Sequence, residues 1–349
     1  MKKAIPVSFV AAAAGAAFVL APTASTAQER TLNAVTGLQE TNVLAQAYLE
    51  KFVKVVNQVG DGVLKIKYVG GHEVVPPTKA AAALKLGQFD MLSSPTAYYI
   101  GTVPEGYAFY GSNQSPRVLR TNGAWELLQK IYAEKAGAHL LAWGANMTSY
   151  HLYLWKEPKF GPDGVLDLSG YKMRATGTYR PIIRALGGTT INVKTSEVIT
   201  AVQRGTVDGF GFTDVSLPAI GLHKVTKYRV QPNFYQTNTV ETLNLNTWKS
   251  LTQAQKELLN RVSLEYEVTS VQFIEAERLR EEAIIKKEGI KDVVMKPDAA
   301  AKYLQIAHGE AWKELDKRST YGKQLRPLMY KPGKPNRQLE IRQKLDEKR

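Results

Sequence analysis

The sequence predicts an α/β protein built as two lobes that face each other across a cleft. Three observations carry that expectation. Between Tyr171 and Phe210, short β-prone runs alternate with helical segments in the order strand, helix, strand, helix, strand, the pattern of a parallel α/β unit. Residues 83–90 and 201–208 share one pattern: Ala, aliphatic, two variable residues, Gly, one variable residue, apolar, Asp. This echo suggests a second, similar lobe. From Thr252 to Glu288 the chain runs without Gly or Pro, an unusually long helical pattern.

The first 27 residues are set apart from the fold. Lys2 and Lys3 precede an Ala-rich apolar run, and Ser25, Thr26 and Ala27 are the small residues of a cleavage site. That is the form of a secretory signal peptide, cleaved after Ala27. The apolar run is short for a span that needs roughly 20 residues. The chain of 349 residues contains no cysteine, so an exported protein here rests on its core rather than on disulfides. Net charge is +14, and removing Lys2 and Lys3 leaves +12 (44 basic minus 32 acidic). Charges of both signs are mixed throughout, apart from a modestly basic tail over 331–349. Without a clustered stripe or an aromatic–basic motif, nucleic acid is not an expected partner.

The elements follow in order. A strand is expected over 31–36, then a helix opened by Asn42 with Leu44, Tyr48, Phe52, Val55, Val56 and Val59 inward. A strand over 64–69 and a helix capped by Thr78 lead to Gly87. The strand from Asp90 to Ser94 ends near Tyr98 and Tyr99. A helix over 122–136 and a strand over 139–143 complete the first lobe, which is assigned mainly 28–150. The second lobe, mainly 151–240, has strands over 171–175 and 190–193 and one beginning at Val207. Its first helix is capped by Thr178 and stopped by Gly188, its second capped by Thr195 or Ser196 and closed by Gly205. The chain after Phe210 is expected to leave the second sheet along the cleft, and 241–246 to cross back as a strand. The remainder, 241–349, adds the long helix, a further helix starting at Pro297 and the tail.

Catalytic patterns are sparse. Neither a G-x-S-x-G elbow, H-E-x-x-H, a P-loop nor G-x-G-x-x-G occurs. Ser169 to Lys172 matches S-x-x-K, but its Ser enters a strand rather than a helix and no K-T-G follows. His72, His139, His151, His223 and His308 lack metal-ligand spacing. Asp90 and Asp208 occupy equivalent turns and are read as caps of local amides, not as an acid–base pair. The chemistry left is binding. Arg174 falls at a strand end, where ligands of parallel α/β units sit, and its always-charged fork suits a carboxylate.

Residues 167–174 (Asp-Leu-Ser-Gly-Tyr-Lys-Met-Arg) followed by Glu197 through Gly209 resemble the signature of TRAP (tripartite ATP-independent periplasmic) solute-binding proteins of the dicarboxylate-receptor type. Residues 248–256 resemble a second block of that family, and the order of the blocks agrees over nearly all of the mature chain. The resemblance implies a two-lobe periplasmic-binding-protein fold whose long helix braces both lobes. It implies a periplasmic receptor that is not an enzyme and delivers a small organic acid to TRAP permease membrane subunits, with no cofactor or metal. Arg174 takes the family's carboxylate-holding position. The family often carries a second basic residue on the first lobe. Here the run from Asn146 through Thr148, Ser149 and Tyr150 to His151 has none, and Phe212 to Asp214 lacks the polar pair common after the Asp-Gly. Phe212, Tyr150, Tyr98, Tyr99 and Tyr235 are read as an apolar wall, which favours a monocarboxylate with an apolar or aromatic body. Asn146, His151 and Asp214 join them as candidate ligand contacts, and the chain is expected to be a monomer. The alternatives are a periplasmic hydrolase, disfavoured because no nucleophile–base pair is visible, and a receptor serving an ATP-driven transporter or a sensor.

Overall fold

The structure is a computed structural model that describes residues 1, 3–4, 29–146 and 148–332. The expected signal peptide, its cleavage site after Ala27 and the tail beyond Pro332 lie outside the described residues. Strands are numbered in chain order. β1 (Arg30–Thr36), β2 (Leu64–Gly70), β3 (Met91–Ser94) and β4 (Ala138–Gly144) come first. β5 (Tyr150–Leu154), the β6 (Lys159–Phe160) and β7 (Leu166–Asp167) hairpin, β8 (Lys172–Arg174), β9 (Thr189–Ile191) and β10 (Gly209–Thr213) follow. β11 (Tyr228–Gln231), β12 (Thr239–Asn244) and β13 (Lys291–Val294) complete the set.

Two mixed sheets form the lobes. The first has the order β2-β1-β3-β12-β4 and the second β13-β11-β5-β10-β8-β9. β8 lies parallel to both β9 and β10, so the predicted α/β unit is present. The echo is structural as well: Gly87 and Gly205 both end helices at positive φ, 74° and 65°. Asp90 Oδ2 accepts the Asn33 N–H and Asp208 Oδ2 the Lys172 N–H, each at 2.9 Å. Each Asp therefore ties the start of its own strand to the neighbouring one.

Two expectations about crossings are corrected. Residues 241–246 do not cross between lobes; β12 lies inside the first sheet, antiparallel to β3 and β4. Nor does the chain stay outside the second sheet after Phe210, because β11 returns to pair with β5. The crossings are the connections between β4 and β5 and between β11 and β12, the helix Pro297–Arg318 and the long helix Gln253–Lys287. That helix opens with a capping box in which Thr252 and Gln255 satisfy each other's backbone N–H groups. Its Leu258, Val262 and Tyr266 pack in the first lobe's core, while Ile285 packs in the second's. Beyond Tyr266 the buried stripe passes through Ser270 and Ile274 rather than the expected Thr269 and Phe273.

Local details shift in physically simple ways. Val59, the last residue of its helix, is exposed rather than inward. Thr78 sits inside the helix Pro77–Lys85, whose first position is taken by Pro77 instead. Thr178 bonds Thr176, and the helix Arg180–Ala185 begins after Tyr179. Two short helices, Gly106–Gly111 and Pro116–Leu119, add to the elements read from sequence. The helix Pro297–Arg318 starts beside Gly164 in the second lobe. At its far end Ser319 reaches Glu105 in the first.

Candidate ligand cleft

Arg174 is the last residue of β8 and is 3% exposed. Its Nε donates to Val193 O at 3.0 Å, Nη1 to the Tyr179 hydroxyl at 2.7 Å and Nη2 to Thr195 Oγ1 at 2.9 Å. Thr195 was expected to cap the following helix; its hydroxyl instead orients the guanidinium. Among the described residues no Asp or Glu pairs with Arg174. With Gly211 O also 3.5 Å from Nη1, the fork's partners are neutral oxygens, and its charge is matched by no acidic group among the described residues.

Tyrosines gather around it. Tyr179 packs its ring on Gly211, where an added Cβ would come within 2.6 Å of the ring. Tyr150 lies 5.6 Å from Tyr179 and 5.9 Å from Tyr110, between ring centroids. Tyr98, on the first lobe's short helical turn Thr96–Tyr98, is close enough to feel the Arg174 charge. Burial pushes its phenol up to about 12, with Arg174 acting in the opposite direction. Tyr150 and Arg174 thus flank Tyr179, with Tyr110 packed on Tyr150; Tyr110 and Tyr179 are neighbours that sequence reasoning did not single out. Tyr179 left one local signal: it stands just after the strand end and before the Pro-started helix.

The other expected contacts have the following partners within the fold. The Tyr99 hydroxyl sits 3.3 Å from that of Tyr132 in the first lobe's core. Tyr235 is fully buried and packs on Tyr110, Phe234 and His308. Phe212 is half-buried among second-lobe apolar residues. His151 Nδ1 lies 2.9 Å from Val230 O, within the second sheet. Asn146 Nδ2 donates to Trp143 O and Glu267 O, so it serves the first crossing. The Asp214 N–H donates to Ser149 O, joining the end of β10 to that crossing. Among the described residues no cluster of three or more His, Asp or Glu forms a metal site, and no helix is long and apolar enough to cross a membrane.

The profile of the bacterial extracellular solute-binding protein family 7 matches residues 35–317. The chain belongs to this family, the solute-binding proteins of TRAP transporters. Among its relatives is a protein of Nostoc sp. named a monocarboxylate 2-oxoacid-binding periplasmic protein, 26% identical over 239 residues. That match covers 65% of this chain and 64% of the relative. A TRAP solute-binding protein from Bordetella bronchiseptica, solved with calcium and picolinate, superposes with a TM-score of 0.75 at 19% identity. It covers 86% of this chain and 91% of that one. One from Pseudomonas putida F1, solved with D-glucuronate, gives a TM-score of 0.70 at 17% identity, covering 84% and 96%. The family 7 fold fits the observed arrangement of two mixed α/β lobes joined by several crossings.

Proposed function

We propose that the chain is a periplasmic receptor that closes on a small monocarboxylate and delivers it to a TRAP-type permease. One observation carries the reading: Arg174 is buried at the cleft with no acidic partner among the described residues. A carboxylate leaving water requires charge-assisted donors, and a guanidinium fork offers two at once. Four tyrosines, Tyr98, Tyr110, Tyr150 and Tyr179, provide apolar ring faces and phenol groups for the body of the acid. The relatives' own ligands, a 2-oxoacid, picolinate and D-glucuronate, are all monocarboxylates, which supports that class. Export through the N-terminal segment and monomeric behaviour belong to the same proposal.

A thermal-shift screen of organic acids tests it, because a ligand that binds only the folded state raises stability by RT ln(1 + [L]/Kd). Monocarboxylates with short, aromatic or branched bodies should raise the melting temperature. A screen in which only diacids respond would overturn the monocarboxylate class. Hydrolysis of esters by the purified protein, lost in a Ser169→Ala variant, would favour the enzyme reading instead.

A further inference from the structure

Besides the ligand groups, the lobes touch directly at a short turn following β10. Residues 215–217 alternate between two environments. Val215 packs with Val43, Leu44 and Ala47 at the start of a first-lobe helix, whereas Leu217 packs in the second lobe's core beside Val198 and Val202. Ser216 between them has φ 70°, the left-handed kink that lets its two neighbours point to opposite lobes. It is fully buried, and its Oγ accepts the Val43 N–H at 3.1 Å.

Among the described residues that N–H has no other acceptor. The first N–H groups of a helix lack intrahelical partners. Asn42 caps this helix but its side chain takes the Leu44 N–H, leaving the one at Val43 to the opposite lobe. The turn is also supported from behind, where the Ser216 and Leu217 amides face the Glu281 carboxyl of the long helix.

We propose that Ser216 is a latch that holds the cleft shut by completing the cap of the first-lobe helix at Val43. The 3.1 Å bond and the Val215 contact join the two lobes, and in this proposal they favour the closed state and slow its opening. The latch rests on the reading of the cleft as a closing receptor, yet it makes no contact with the ligand and can be judged without one.

Because the chain lacks cysteine, Lys79→Cys on the first lobe and Arg204→Cys on the second give a clean pair of spin-label sites, both exposed. Pulsed electron–electron distances are then measured with and without pyruvate, in the wild-type and Ser216→Gly backgrounds. Glycine accepts the left-handed conformation and removes the hydroxymethyl side chain with its acceptor oxygen. The ratio of short to long distances should fall roughly two- to ten-fold in Ser216→Gly, the range expected for one hydrogen bond. Val215→Ala should act in the same direction, and thermal melts establish that each variant is folded. Unchanged distance distributions in folded Ser216→Gly would overturn the latch. So would a wild-type protein with no short-distance population in either condition. If pyruvate fails to alter the wild-type distribution but Ser216→Gly still opens the free protein, the latch stands and the choice of acid is what failed.

Discussion

The Trp143 backbone N–H donates to Glu267 Oε1 at 3.0 Å, fixing the end of β4 to the middle of the long helix. The same carboxylate is gripped by Arg120 through two bonds of 2.8 and 2.9 Å. The next two amides are held likewise, Gly144 by Glu241 and Ala145 by Ser270. The first crossing is thereby fastened to the first lobe up to Asn146. Glu267→Ala strands the Arg120 charge and the Trp143 N–H together. Breaking a buried pair from one side costs about 3–5 kcal/mol. Urea unfolding should show a lower midpoint at an unchanged slope. A midpoint equal to wild type would mean the pin carries no load.

Arg174→Ala should weaken carboxylate binding by about 2–5 kcal/mol, roughly 30- to several-thousand-fold in Kd. Arg174→Lys should lose less, keeping the charge but not the fork. Folding should survive, since a desolvated cation with no acidic partner contributes little to stability. Calorimetric titration beside a melt of the same variant separates the two effects. Near-wild-type affinity would remove Arg174 from the site.

Tyr235 and Tyr150 should part company. Tyr235 is fully enclosed, so Tyr235→Ala opens a core cavity and should cost about 3–5 kcal/mol of stability. Tyr150 stands in the ring cluster beside Tyr179, one bond from Arg174, and Tyr150→Phe should alter affinity more than melting. Titration of both variants with the best acid from the screen checks this. Equal effects on affinity would contradict the placement of Tyr235 in the core.

Stability should fall as pH rises from about 6.5 to 8, whereas below about 6.5 His139 and His308, which burial lowers to about 4, act in the opposite direction. Burial raises the Glu241 carboxyl to about 8 from an ordinary 4.5, against the pull of Thr239, Ser93, the Gly144 amide and Tyr266. Burial likewise raises Glu281 to about 7, with Asp214 and Glu277 adding to it. A carboxyl raised in the folded state contributes stability that is complete below its unfolded value and is lost as pH climbs through the folded one. Glu282, Asp292 and Asp208 are shifted downward and act in the acid range instead. Glu241→Gln should therefore flatten the melting-temperature profile between about pH 6.5 and 8, and Glu281→Gln only the lower part of that range. An identical slope in both variants would assign the pH dependence to other groups.

Much of this protein was legible because the deciding interactions are local. Thr252 and Gln255 stand three residues apart and cap the long helix between themselves. Asn42 caps its helix, and Gly87 and Gly205 end theirs, by conformations that a few neighbouring residues dictate. Arg174 could be placed at a strand end from the β–α–β spacing alone. What the tertiary structure decided involves pairings far apart in the chain. β12 is buried along its whole length, so its residues carry no alternation to say which sheet it joins. Tyr235 and Tyr150 are alike in sequence terms, and packing against Pro297–Arg318 or beside Tyr179 is what divides them. Thr195 is a natural cap until Arg174, 21 residues earlier, takes its hydroxyl. Ser216 and Val43 lie 173 residues apart, and only the packing of a second-lobe turn on a first-lobe helix brings that donor to that acceptor.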